Sequence, residues 1–129
     1  MSNLNILVVD DDEVTTLFSV RELEKEGWDV IGALSGDEAA EIIRSGVEID
    51  LLITDYDMPP GIDGIVLSKI ARKIHPGLPI LMRSGEPYIE TKMRDLTQRA
   101  VSCPTNDRKH ADHILHVESQ VSSYLPTTE

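Results

Sequence analysis

Ile6-Leu7-Val8-Val9-Asp10-Asp11-Asp12 is an apolar run that stops on three carboxylates. Asp50-Leu51-Leu52-Ile53-Thr54-Asp55 repeats the pattern, and Asp57 follows two residues later. A short apolar run bounded by turn signals reads as a buried strand. If the two strands are parallel neighbours, their acidic ends meet at one edge of the sheet. In open α/β sheets ligands bind at that edge, outside the carboxyl ends of the strands. Carboxylates brought together repel and raise one another's pKa. A hard cation with oxygen ligands removes that cost, and Mg2+ is the usual choice. The two runs therefore predict a metal-assisted acidic pocket around Asp55.

The same reading extends along the chain. Leu4 to Val9 forms the first strand, and Glu13 to Glu26 a helix that stops at Gly27, with Val14, Leu17, Phe18 and Leu23 as its core candidates. Trp28 to Ala33 is the second strand. Ser35 with Glu38 three residues on is a capping box opening a helix through Arg44. Asp50 to Thr54 is the third strand. Tyr56 to Gly64, with two prolines and two glycines, is a loop. Leu67, Ile70, Ala71 and Ile74 line one helical face as a core stripe, and His75-Pro76-Gly77 ends that helix. Pro79 to Met82 and Ala100 to Cys103 are the fourth and fifth strands. Tyr88 to Arg99 and Asn106 to Tyr124 are the remaining helices. Five βα units predict a parallel five-stranded sheet with helices on both faces. The expected fold is the flavodoxin-like (βα)5 doubly wound sandwich, in strand order 2-1-3-4-5. Residues 1–125 form one domain, with residues 126–129 as a tail.

Composition narrows the function classes. The 129 residues suffice for one core. Twelve basic against 23 acidic side chains give a formal charge of −11, which disfavours direct nucleic-acid or anionic-membrane binding. Cys103 is the sole cysteine, so there is no internal disulfide framework, and a reducing cytoplasm suits the chain. No signal-like segment or membrane-length apolar run is read in the sequence.

With those residues in view, the chain resembles the receiver domain of two-component response regulators. Ile6 to Asp12 is similar to the family's first strand and acidic pair. Leu51-Leu52-Ile53-Thr54-Asp55-Tyr56-Asp57-Met58-Pro59 is similar to its phosphoacceptor strand and loop, Asp63-Gly64 to the start of its third helix, and Pro79 to Gly85 to its fourth strand, ending in a hydroxyl. The resemblance implies that Asp55 accepts a phosphoryl group. It implies that Asp11 ligates Mg2+ directly, Asp10 chiefly through water, and Asp57 through its backbone carbonyl. Ser84 would be the switch hydroxyl. The implied donor is a sensor histidine kinase or a histidine phosphotransfer protein. Output would pass to a downstream protein partner, from a monomer or weak homodimer.

Three departures accompany the resemblance. The family's lysine at the end of the fifth strand is replaced by Cys103, before Pro104. The aromatic switch position is Ala100. The Ser84–Cys103 segment is short for the family, and the Met58–Gly64 stretch is one residue longer than the family's. Cys103 reads as a small residue filling the vacated space. Arg83 offers a guanidinium beside Ser84, but alternation along a strand turns adjacent side chains to opposite faces, which counts against it. Lys92 and Lys109 are further cations that nothing in the sequence places. The principal expectation is a stand-alone receiver, serving as an intermediate carrier or phosphate sink. The alternative is a phosphate-independent pseudo-receiver that acts as a binding module. A third class, an Mg2+-dependent phosphatase using the Asp55-x-Asp57 spacing, is opposed by the lack of a substrate-binding insertion.

Overall fold

The computed structural model describes residues 4–84 and 100–104, with side chains from Leu4 to Met82. Its elements run β1 (Asn5–Val9), α1 (Glu13–Glu24), β2 (Asp29–Ala33), α2 (Gly36–Arg44), β3 (Leu51–Asp55), α3 (Gly64–Ile74), β4 (Ile80–Ser84) and β5 (Ala100–Pro104). The strands form one sheet in the order β2-β1-β3-β4-β5, with every pairing parallel. This is the expected doubly wound topology. Strand bounds differ from expectation by one or two residues, and β3 includes Asp55 as its last residue. The helices expected over Tyr88–Arg99 and Asn106–Tyr124, and the tail from 126, lie outside the described residues.

The apolar runs form central strands because both of their faces are covered. Leu7, Leu52 and Ile80 occupy level positions on β1, β3 and β4 and belong to the core beneath α2 and α3. Val8, Ile53 and Leu81 are also level and belong to the opposite core, with Leu23 of α1. Each fully buried side chain of this kind contributes about 1.5–3 kcal/mol. A one-residue slip would send every one of them to the wrong face, so the register is strongly fixed.

Helix α1 departs from the predicted amphipathic face. Of the four core candidates Leu23 is buried, but Val14 is 75% and Leu17 49% exposed, and Phe18 is only partly covered. The buried face is instead Thr15, Thr16, Ser19 and Leu23. Hydrogen bonds at the helix start set this phase. Asp12 is the N-cap and accepts from the Thr15 amide at 2.9 Å. The Thr16 hydroxyl donates to the Asp10 and Asp12 carbonyls at 2.9 and 3.0 Å. On β2, a Cβ at Gly32 would stand 2.8 Å from Thr16 Cγ2. Small polar side chains therefore pack where larger apolar ones would not fit. Helix α1 ends at Glu24, two residues before the predicted Glu26, and the turn that follows it closes at Gly27, whose φ of +89° suits glycine.

Helices α2 and α3 follow their sequence signals more closely. Ser35 Oγ accepts from the Glu38 amide at 3.0 Å, while the Glu38 carboxylate accepts from the Leu34 amide at 2.9 Å. The capping box therefore closes one residue earlier than its usual reciprocal bond to the cap residue's own amide. Asp63 caps α3 by accepting from Val66 N at 2.9 Å. Leu67 and Ala71 of the predicted stripe are buried and Ile70 is partly so, whereas Ile74, in the last turn, is 42% exposed. All three N-caps lie after strands at the sheet's carboxyl edge, so three helix N-termini and their partial positive charge gather there.

Candidate functional site

That edge carries the acidic group. Asp10 follows β1, and its amide donates to the Ala33 carbonyl at 3.1 Å, continuing the strand ladder. Asp55 ends β3. One carboxylate oxygen from each of Asp10, Asp11 and Asp55 lies within 4.8 Å of the others. Asp10 is 5% exposed, Asp55 is half-buried and Asp11 is exposed.

The three consecutive aspartates have separate tasks. Asp12 is committed to α1 through its bonds to the Thr15 amide and hydroxyl. Asp10 Oδ1 accepts from the Asp12 amide at 2.8 Å, which orients the buried carboxylate. Asp11 completes the group. Its pKa is raised, first by desolvation and then by the Asp10 charge, with a hydrogen bond to Asp10 and the Asp12 charge adding smaller effects. Burial and neighbouring like charge both disfavour the ionised form of a carboxyl group. A donor set of carboxylate oxygens suits a hard divalent cation rather than a soft metal.

Asp55 is anchored from behind. The Thr54 hydroxyl donates to the Asp55 carbonyl at 2.9 Å, and the Gly64 amide donates to the Tyr56 carbonyl at 2.7 Å. A Cβ at Gly64 would stand 2.7 Å from Met82 Sδ and closer still to the Asp55 carbonyl oxygen. Glycine at this point therefore lets α3 start directly against the end of β3. The sequence places Asp63-Gly64 at a helix start, but this close approach needed the fold to be seen.

The other expected site residues are placed by position. Asp57 is exposed, and its carboxylate is not in the three-carboxylate group. Ser84 is the last residue of β4 and pairs with Pro104. Arg83 pairs with Asp55 on one side and with Cys103 on the other. The Arg83, Ser84, Ala100 and Cys103 side chains lie outside the described residues, as do Lys92 and Lys109. A separate hollow at the opposite edge is lined by Leu4, Asp50, His75 and neighbouring apolar residues, and contains none of the acidic group.

A parallel doubly wound sheet with an acidic group at its carboxyl edge defines an α/β domain of the class in which ligands bind at that edge. More specifically, the chain belongs to the response regulator receiver domain family, whose model matches residues 6–105. It is a domain of the kind found in two-component systems. The sensor kinase CckA of Brucella abortus is 37% identical over 81 residues, which are 62% of this chain and 8% of that kinase. The alkaline phosphatase synthesis transcriptional regulatory protein PhoP of Bacillus subtilis is 40% identical over 84 residues, 65% of this chain and 34% of PhoP. The chain thus spans only a minor part of these relatives. Among solved structures, the receiver domain of the hybrid histidine kinase CckA superposes with a TM-score of 0.75 at 29% identity, covering 95% of this chain and 99% of that one. The response regulator TrrA of Thermotoga maritima, solved in complex with Mg(2+)-BeF, superposes with a TM-score of 0.74 at 26% identity, with coverage of 95% and 99%. Among the described residues no helix is long and apolar enough to cross a membrane.

Proposed function

We propose that this receiver accepts a phosphoryl group on Asp55 from a phosphohistidine and signals through protein contacts. The donor is a sensor histidine kinase or a histidine phosphotransfer protein, and the setting is cytoplasmic. The observation that carries this reading is the convergence of Asp10, Asp11 and Asp55 within 4.8 Å at the sheet's carboxyl edge. In the transfer, an Asp55 carboxylate oxygen forms a bond to phosphorus as the phosphorus–nitrogen bond of the donor breaks. The electron pair leaves with the imidazole, which takes up a proton. The product is an acyl phosphate, reactive enough to be passed on or hydrolysed.

Asp10 and Asp11 would hold Mg2+ with Asp55, and the Asp57 backbone carbonyl would add a fourth protein oxygen. Mg2+ when bound supplies positive charge to the phosphoryl oxygens. Asp10, oriented by the Asp12 amide, fixes the inner wall of the site. Ser84, at the end of β4, would donate its hydroxyl to the phosphoryl group. The TrrA complex with Mg(2+)-BeF supports the same chemistry in this chain.

The test is intact mass after incubation with a small acyl phosphate and Mg2+. One phosphoryl adduct is expected, absent without Mg2+ and absent in Asp55→Ala. A folded protein that binds Mg2+ and forms no adduct, even with a histidine kinase as donor, would favour the phosphate-independent module. Turnover of a phosphomonoester, abolished in Asp55→Ala, would instead indicate the phosphatase.

A further inference from the structure

Where the resemblance implies a lysine this chain has Cys103, so that position offers a phosphoryl group no cation, and the strand register names a replacement. Level positions in this sheet share a face. Leu52 and Ile80 are level and lie in one core, while Ile53 and Leu81 are level and lie in the other. Two residues beyond Ile53 and Leu81 the pairing continues as Asp55 with Arg83. Because strand faces alternate with period two, Asp55 and Arg83 occupy the same face as Ile53 and Leu81. The next strand extends the row, for Arg83 pairs with Cys103. On the other side the β1–β3 register ends at Val9 with Thr54, so one further step brings Asp10 level with Asp55. Asp10, Asp55, Arg83 and Cys103 thus form one lateral row across four strands. Ser84 lies one step beyond this row, as the last residue of β4 at the carboxyl edge itself, and Arg83 is the β4 residue level with the phosphoacceptor.

We propose that Arg83 supplies the positive charge that neutralises the phosphoryl group on Asp55, taking over from β4 the task that a β5 lysine would perform. This rests on Asp55 being the phosphoacceptor. The row juxtaposes a cation, the acceptor and a small residue where a second cation is absent. Arginine suits the task, since its guanidinium stays protonated and matches phosphate oxygens in a planar fork. A charge fixed beside developing phosphoryl charge acts where it accelerates transfer. During transfer from a small acyl phosphate, the Asp55 oxygen–phosphorus bond forms while the donor's oxygen–phosphorus bond breaks. The electron pair leaves with the donor carboxylate, and Arg83 neither gains nor loses a proton.

The experiment compares wild type, Arg83→Ala, Arg83→Met, Arg83→Lys and the double variant Arg83→Ala/Cys103→Lys. Each is first checked for folding by circular dichroism and for Mg2+ binding by calorimetry. Two quantities are then read: the rate of acyl-phosphate labelling by intact mass, and the affinity for beryllium fluoride in the presence of Mg2+. Arg83→Ala and Arg83→Met are expected to label about 100-fold more slowly and to bind beryllium fluoride more weakly, with Mg2+ affinity undiminished. Arg83→Lys should retain part of the rate. The double variant should recover it, because the cation returns on the neighbouring strand of the same row.

Wild-type labelling matched by Arg83→Ala would overturn the assignment of Arg83 and leave Asp55 as acceptor. A slower Arg83→Ala that also loses Mg2+ binding and is not restored by Cys103→Lys would overturn it too, since Arg83 would then act by holding the shape of the acidic row. Failure of the wild type to label from either an acyl phosphate or a kinase would overturn the phosphoacceptor reading itself.

Discussion

The Asp12 amide donates to Asp10 Oδ1 at 2.8 Å, so the buried carboxylate of the acidic group is oriented by the residue that caps α1. Replacing Asp10 by Ala removes both the charge and the acceptor that faces a fixed donor. Asp10→Ala is expected to lower Mg2+ affinity about tenfold or more and to cost about 1–3 kcal/mol of stability. Calorimetric titration and urea unfolding measure the two effects separately. Saturating Mg2+ should stabilise the wild type by about 2.7 kcal/mol at a concentration 100 times its Kd, and a chelator should remove that gain.

Asp11 yields a pH prediction with a definite sign. Its folded-state pKa is raised above the ordinary value of 3.8, by desolvation first and by Asp10 second. The folded protein therefore binds the Asp11 proton more tightly than the unfolded chain does. Its favourable contribution is fully present below the ordinary value and is lost as pH rises through the raised one. In metal-free protein, Asp11→Asn should be more stable than wild type at pH 7, and the difference should shrink as pH falls towards 4. Denaturant midpoints across that range, in the presence of a chelator, test this. Added Mg2+ should reverse the order at pH 7.

Gly64→Ala places a methyl group against the Asp55 carbonyl and Met82 Sδ. Overpacking of this kind costs about 1–3 kcal/mol. Because the obstructing atom belongs to the Asp55 backbone, the variant should also label more slowly than its loss of stability explains. Labelling rates compared under conditions where both proteins are fully folded provide the check.

Ser35→Ala removes the acceptor for the Glu38 amide and should cost about 1 kcal/mol. The site lies on other elements, so Mg2+ affinity should be unchanged. Thermal unfolding with and without Mg2+ separates the two readouts.

Much of the fold was legible because its central strands are buried on both faces and so spell themselves as apolar runs. Asp10, Asp11 and Asp55 were legible for a related reason, since each directly follows or ends such a run. The α1 face was not. A helix whose buried side is Thr15, Thr16 and Ser19 leaves no apolar period to read, and its phase depends on hydrogen bonds from Thr16 to the Asp10 and Asp12 carbonyls. The split of three adjacent aspartates between cap and site was equally hidden, because both uses need the same residue type. In the sequence Arg83 has only its chain neighbour Ser84 to be read against. Its level partner Asp55 appears only once two strands are set in register.

The turn after β1 therefore joins two mechanical duties at a single hinge. Asp10 and Asp12 anchor the start of α1 through Thr15 and Thr16 while Asp10 also walls the acidic group. A change at Asp12 removes the cap, and a change at Asp10 removes the acceptor of the Asp12 amide together with a charge. Asp11 stands between them, holds neither the cap nor the Thr16 bonds, and adds its exposed carboxylate to the acidic group. It is the position from which the charge of this site can be tuned while the scaffold stays still.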